Sequence, residues 1–433
     1  MGRRTSKRSN LLRFQFIILY YTLFSTLFFT SNVFAEKKLT WAESVALAKV
    51  GNSDLRSYEN NFQAIKELEA GSESGFFPQL SGQIQTSQSS SSSNRSTTSS
   101  ATLSASQNLF NGFLDLEKRN QAAANTAHAE STLKIQKAKV SHLFITAYND
   151  LKSIEASELL TQEIKKRRKE NLRLIELRFQ GGRENKGSVL LSEANLKQAQ
   201  WDHLKTIHNQ RTSEINLQQF LGLEPLNLNE KIILADEVPL QEPLNEDLLD
   251  FFKLTLSHPQ YHQVLALEKA AESMVAQEKS SFYPTLNLTG SLGQQGPDFS
   301  SSTETWSTAL TLNIPLFSGL RDRSSYKSSL EKYLAATQNR ISLFRTLRVS
   351  LQEAYFSYIQ AVEKLKVDEA FQEAVYLRAE IARKQYNNGL VSFQEWDQIE
   401  GDLIQRQKNY LESKKQRVLQ ESLWRQALGE GVF

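Results

Sequence analysis

The 433-residue chain has no cysteine, only eight prolines and two methionines, and, after Ala35, no long apolar run. Without cysteine there is no disulfide framework, no thiolate metal site and no lipid anchor on an N-terminal cysteine. Without about 18 consecutive apolar residues after Ala35, that part of the chain has no membrane-spanning helix, so residence in a membrane would require a closed β-barrel. A charge excess is missing too. The formal +3 rests on Arg3, Arg4, Lys7, Arg8 and Arg13, which precede an apolar stretch from Phe14 to Phe29 and the small-residue site Val33-Phe34-Ala35. That order reads as an export signal over residues 1–35, with a retained transmembrane anchor as the alternative. The stretch is short and carries Gln15, Thr22, Ser25 and Thr26, which favours the signal. The general route is expected over a twin-arginine one because nine residues separate Arg4 from Phe14. The rest carries 46 Lys+Arg against 48 Asp+Glu, about −2, and nothing in that balance argues for nucleic acid.

What is present is said twice. Phe76-Phe77-Pro78 returns as Phe282-Tyr283-Pro284, 206 residues on. Leu109-Phe110-Asn111-Gly112 returns as Leu316-Phe317-Ser318-Gly319, and Arg178-Phe179-Gln180-Gly181-Gly182 as Gln385-Tyr386-Asn387-Asn388-Gly389, both 207 residues on. A repeat of this length, held in register, is two pseudo-equivalent halves of one assembly rather than a solenoid.

Each half reads as helix, strand pair, long helix and returning helix. A helix from about Thr40 to Ser74 ends near Pro78, and Pro284 does the same in the second half. Period two follows. Leu286, Leu288, Gly290 and Leu292, then Trp306, Thr308, Leu310, Leu312, Ile314 and Leu316, alternate with small polar residues, and Leu80, Gly82, Ile84, Leu103, Ala105 and Leu109 repeat this more faintly. Such strands suit a barrel wall with one face toward lipid. Ser87 to Ser100 and Gly293 to Thr303 are low-complexity and polar and read as loops at the strand tips. Phe76, Phe77, Phe110, Phe113, Phe282, Tyr283 and Phe317 gather at the other strand ends, as an interfacial belt or as plugs of the helix-to-strand junction. From Phe113 to Gln180, and from Leu320 to Asn388, there is neither proline nor glycine, and Val140, Leu143, Phe144, Ala147, Tyr148, Leu151 and Ile154 step with a helical period. A helix of that length spans roughly 100 Å and needs lateral partners throughout. The returning helices run from about Gly187 to Leu221 and from Trp396 to Leu428. The domains read as 1–35 signal, 36–225 repeat 1 (strand pair about 78–111), 226–243 linker, 244–428 repeat 2 (strand pair about 284–317) and 429–433 tail.

Motifs of chemistry do not assemble. His258 and His262 are four apart, but Pro259 between them marks a helix start, so capping is favoured over metal binding. Gly181 to Gly187 lacks the order of a phosphate loop, and there is no Gly-X-Ser-X-Gly elbow. Lys165-Lys166-Arg167-Arg168-Lys169 covers every face of a helix and reads as solvated surface, ahead of a site for an adaptor or an anionic cell-wall polymer. No enzyme and no cofactor is expected.

The duplicated motifs, in this order around two strand pairs, resemble those of the TolC-like outer-membrane efflux proteins over essentially all of Leu39 to Leu428. The resemblance implies a mixed α and β fold: a homotrimer in which four strands per chain build a twelve-stranded outer-membrane β-barrel, continuous with a periplasmic α-helical coiled-coil barrel. Four strands cannot close a barrel alone, which agrees. It implies an exit duct for tripartite efflux or type I secretion, with a periplasmic adaptor (membrane fusion) protein, an inner-membrane pump (RND, ABC or MFS type) and outer-membrane lipid as partners. The alternative is a periplasmic coiled-coil scaffold or adaptor. The turns at Gly182-Arg183 and Gly389-Leu390 would form the adaptor-docking entrance, although Gly182-Arg183 departs from the glycine-leucine form. Glu395 matches an acidic constriction after the second turn, with Gln398 where a second acid is common; its plainer reading is a carboxylate favoured by a helix N-terminus. Leu286, Leu288, Leu310 and Leu312 would face lipid.

Overall fold

A computed structural model of the chain describes residues 36–91, 94–223, 231–299 and 301–433. The expected export segment, 1–35, lies outside the described residues. In chain order the elements are β1 (Glu36–Leu39), α1 (Trp41–Gly51), α2 (Ser53–Gly71), β2 (Gln79–Ser91), β3 (Asn94–Phe110), α3 (Leu114–Gln180), α4 (Lys186–Leu221), β4 (Lys231–Leu234), α5 (Phe251–Ser257), α6 (Pro259–Ser280), β5 (Thr285–Gly296), β6 (Thr303–Asn313), α7 (Arg321–Asn387) and α8 (Phe393–Ala427). Helices α3 and α7 each hold 67 residues, a rise of about 100 Å.

The backbone itself carries the repeat. Every described residue with positive φ has a counterpart 207 positions away: Gly112 and Gly319, Gly182 and Gly389, Gly222 and Gly429, Phe113 and Leu320. Phe113 (φ 71) and Leu320 (φ 70) are costly choices for a left-handed residue, about 1–2 kcal/mol each. They persist because a glycine and its successor, both left-handed, turn each outgoing strand into its long helix. The Phe113 ring packs edge-on against Phe110 and Tyr283, at 5.4 and 6.1 Å, while Phe77 and Phe317 stand exposed.

Strands β2, β3, β5 and β6 form one antiparallel sheet in that order. Its register settles the parity. Leu80 stands opposite Ala105, Gly82 opposite Leu103, Leu103 opposite Leu292, Leu292 opposite Trp306, Leu288 opposite Leu310 and Leu286 opposite Leu312. All of these lie on one face, while Ser81, Ser104, Ser291 and Ser307 share a rung of the other. The strand tips depart from expectation. Ser87 to Ser100 is not a loop: β2 runs to Ser91 and β3 starts at Asn94. The ladder satisfies the backbone whatever the side chains, and the hydroxyls pair across it, Thr86 with Ser99 at 3.2 Å and Ser89 with Ser96 at 2.8 Å. Likewise β5 continues to Gly296, which shortens the loop expected from Gly293. At the other end β6 stops at Asn313, so Ile314 and Leu316 lie beyond it.

The first helix of each half is broken rather than continuous. Asn52 ends α1 and caps α2, its Oδ1 accepting from the Leu55 N–H at 2.9 Å. His258, 206 positions on, does the same before α6: its Nδ1 accepts from the Gln260 N–H at 3.0 Å. The breaks fall where these helices meet the glycines ending α4 and α8. A Cβ on Gly222 would collide with the Gly51 carbonyl oxygen, and one on Gly429 would lie 2.5 Å from the Pro259 ring.

Two equivalent apolar cores grip the long helices near mid-length. In the first, Phe144, Tyr148, Leu151 and Leu217 are buried with Leu39, Ile232 and Leu234. In the second, Leu351, Tyr355, Tyr358 and Trp424 occupy the positions 207 further on. Each core ties down an irregular connection: the Tyr148 hydroxyl donates to the Asp236 carbonyl at 2.8 Å, and those of Tyr355 and Tyr358 donate to Leu244 and Gln241 carbonyls, both at 2.6 Å. Burial pushes all three phenols up, Tyr358 to about 12. The expected linker, 226–243, thus holds a strand, since Ile232 and Leu234 are apolar enough for β4 to pair in parallel with β1; its first residues, 226–230, lie outside the described residues.

Candidate functional site

Helices α3 and α4, and then α7 and α8, reverse at the same end of the molecule. Both reversals use one backbone device. At the first, Arg183 N–H bonds the Arg178 carbonyl at 2.8 Å and Gly182 N–H the Phe179 carbonyl at 3.0 Å. At the second, Leu390 N–H bonds the Gln385 carbonyl at 2.9 Å and Gly389 N–H the Tyr386 carbonyl at 3.0 Å. This helix-ending motif needs a left-handed residue, supplied by Gly182 (φ 68) and Gly389 (φ 78). A Cβ at either would meet nothing within 4 Å, so both glycines sit in open space. The next helix then starts on a side-chain cap: Asn185 accepts from Ser188 N–H at 3.0 Å, and Ser392 from Glu395 N–H at 3.2 Å.

The side chains differ. Arg183 and Lys186 are exposed at the first turn, whereas Leu390, 73% exposed, crowns the second. Glu395 is exposed in the first turn of α8. Asp397, two residues on, faces inward. It takes a 2.6 Å ion pair from Arg168 and a 3.2 Å hydrogen bond from Asn195.

A clasp joins the two turns. Tyr386, 1% exposed, stacks on Trp396 with centroids 4.5 Å apart and planes 8° from parallel. The Arg178 guanidinium lies 4.4 Å over the Tyr386 ring and donates to its carbonyl at 2.6 Å. The Tyr386 hydroxyl crosses to the first turn and donates to Glu184 at 2.8 Å. Burial and the Glu184 carboxylate raise the phenol's pKa, so the proton stays on the tyrosine. Phe393, Ile399, Leu403 and Ile175 seal the cluster. Sequence reasoning missed this clasp. Its signal was the mismatch inside the repeated motif, where Arg178-Phe179 becomes Gln385-Tyr386.

The other candidates separate. Leu286, Leu288, Leu310 and Leu312 share the apolar sheet face, far along the chain from the turns. The basic run splits: Arg167 donates to Gln407 at 2.8 Å and Arg168 to Asp397, while Lys166 and Lys169 are exposed beside α4. His258 is a helix cap, and among the described residues no group of three or more His, Cys, Asp or Glu could hold a metal ion. No helix of the described residues is long and apolar enough to cross a membrane.

The family model for outer membrane efflux proteins matches residues 45–223 and 253–430, one match on each repeat. No curated protein sequence matches the chain. Solved structures share the fold. The outer-membrane channel OprN is similar at 17% identity and a TM-score of 0.79, covering 90% of both chains. The CmeC outer membrane channel of Campylobacter jejuni is similar at 17% identity and a TM-score of 0.77, over 90% of this chain and 85% of that one. The outer membrane protein VceC of Vibrio cholerae is similar at 16% identity and a TM-score of 0.77, over 90% and 96%. A periplasmic scaffold or adaptor is not favoured by these matches, and the fold is that of a transport channel. Spanning both halves, the family match shows that this chain belongs to the outer membrane efflux proteins, exit ducts that sit in the outer membrane and reach into the periplasm through their helices.

Proposed function

We propose that three copies of the chain close their sheets into one twelve-stranded wall and pass substrates outward from an adaptor and an inner-membrane pump of the RND, ABC or MFS type, entering at the helical tip. The observation that carries this reading is the apolar face shared by all four strands. It is continuous from Leu80 to Trp306 across the sheet, and the opposite face is small and polar. A lipid-facing wall around an aqueous lumen needs that division. At the tip, Gly182-Arg183 and Gly389-Leu390 form the docking surface, and the Tyr386–Glu184 clasp holds the two hairpins of one copy together. Opening must separate them, so an adaptor drives it only by binding the separated state more tightly. Glu395, exposed and one turn behind Gly389, lines the constriction, where three carboxylates around one axis favour cations.

Extraction and conductance test the reading. The protein should leave outer membranes only with detergent, migrate as a trimer and conduct in planar bilayers with cation preference. Glu395→Gln should lower that preference and weaken block by multivalent cations. Release by alkali alone would refute the channel, and unchanged selectivity would return Glu395 to a purely helix-terminal role.

A further inference from the structure

Among the described residues, α3 is flanked by α4 on one side and α8 on the other, whereas α7 packs on α8 but on no helix at the position that corresponds to the second. The sheet is open in the same sense, with β2 and β6 as its unpaired edges. Joining β6 of one copy to β2 of the next sets repeat 2 beside the next repeat 1. The vacant side of α7 then meets α4 of that next copy, as α3 meets α8 within the chain.

The α3–α8 seam supplies the register. His142 Nδ1 and Ser422 Oγ are 2.9 Å apart, and Asn149 donates to the Lys415 carbonyl at 3.1 Å, one heptad away on each antiparallel helix. Between these polar layers, Ile145 and Val418 are buried in the same apolar core. The repeat offset of 207 carries His142 and Ser422 onto Val349 and Ile215, Ile145 and Val418 onto Gln352 and Arg211, and Asn149 and Lys415 onto Phe356 and His208. Every layer changes kind. Polar becomes apolar in the first, apolar becomes polar in the second, and an aromatic ring replaces an amide in the third. Val349 is 52% exposed and Ile215 64%, although nothing local requires an apolar side chain at either place.

We propose that α7 docks on α4 of a second copy of this chain with Val349 on the partner's Ile215, Gln352 beside the partner's Arg211, and Phe356 against the partner's His208. This rests on the trimeric reading above and adds to it a register and a selection rule. A chain that offered α7 to the wrong neighbour, α8, would set Val349 against a serine and Gln352 against a valine. That leaves a buried amide without a partner, which is costly. The exchanged layers therefore make the two seams mutually exclusive and force repeat 1 and repeat 2 to alternate around the ring. The lower ion pair of the inner seam, Arg168 with Asp397, maps onto Val375 and Leu190. Val375 is already covered within its own chain, and Leu190 stands exposed, ready to extend the apolar seam toward the tip.

The absence of native cysteine makes the test clean. Val349→Cys combined with Ile215→Cys, oxidised in isolated outer membranes, should convert most of the chain to a covalent ladder ending at trimer on denaturing gels. Val349→Cys combined with His208→Cys, about two helical turns out of register, should stay monomeric on the same gel. Trimers on native gels with linkage in the second pair, in both pairs or in neither would overturn this register while leaving the channel standing. Absence of trimer from the unsubstituted chain would overturn the reading on which it rests. As a second measure, Val349→Glu should lower the trimer fraction in mild detergent, and no loss there would also count against the docking.

Discussion

The two turns at the helical tip have one backbone and two surfaces. Hydrogen bonds, positive-φ glycine and side-chain cap recur 207 residues apart, yet the first turn presents Arg183 and Lys186 and the second Leu390. Their buried sides differ as well: Phe179 is 42% exposed, whereas its counterpart Tyr386 is 1% exposed and holds the clasp. Duplication therefore preserved what bends the chain and released the side chains around the bend. Backbone geometry is common to the halves; the surface each presents is its own.

That contrast breaks first at the glycines. Gly389→Asp and Gly182→Asp should strain the backbone equally, by about 1–2 kcal/mol, because neither Cβ meets a neighbour. If the apolar second turn is the docking surface, Gly389→Asp abolishes export in cells with the trimer still in the outer membrane, while Gly182→Asp lowers export only partly. Equal phenotypes would erase the distinction between the turns. In the sheet, by contrast, the halves should behave alike. Arg at Leu103 or at Leu310, which occupy equivalent positions, should each cost about 2–4 kcal/mol in refolding titrations into lipid, and Arg at Thr311 much less. Comparable penalties on both faces would sink the wall assignment.

The clasp gives a smaller effect. Tyr386→Phe keeps the ring stacked on Trp396 but deletes the bond to Glu184, worth about 1.5–3 kcal/mol for a charged partner. Single-channel recordings should show a raised open probability. The mirror change, Phe179→Tyr, should leave gating alone, because that ring makes no crossing to the other turn. The smallest effect concerns the two helix breaks. Burial, with the neighbouring His262, holds the His258 imidazole below its ordinary value, although its donation to the Ala427 carbonyl acts the other way. The folded state prefers the neutral ring, whose Nδ1 must accept from Gln260. Stability from this cap is complete above the unfolded value, near 6.5, and falls as pH drops below it toward the lower folded value. His258→Asn, which copies Asn52, should flatten that part of the pH dependence of thermal unfolding. An unchanged slope would remove His258 as its source.

Much of this architecture was legible. Two 67-residue helices announce themselves by the absence of proline and glycine, and the strand parity by leucines at every second position. The serine-rich tips were misread because composition reports whether side chains want burial and says little about whether a backbone already paired at Ile84 continues pairing to Ser91. The break at Asn52 was hidden because asparagine inside a helical stretch looks tolerable until a crossing glycine at 222 shows there is no room to run straight. The turns were found from their glycines. The clasp was not: the Phe179-to-Tyr386 mismatch marks the turns as different, but does not reveal that a glutamate 202 residues away lies within reach.

The β2–β3 hairpin outlasts its neighbours. Pairing of β3 with β5 begins at Ser99, but β2 and β3 stay paired out to Ser91 and Asn94. Five further β2–β3 pairs carry the hairpin about 16 Å past the last β3–β5 pair, at the rise of a strand. With three copies the rim alternates long strand pairs with short ones, like ones 120° apart. The duct that is nearly sixfold along its helices thus meets the outside world as a threefold object.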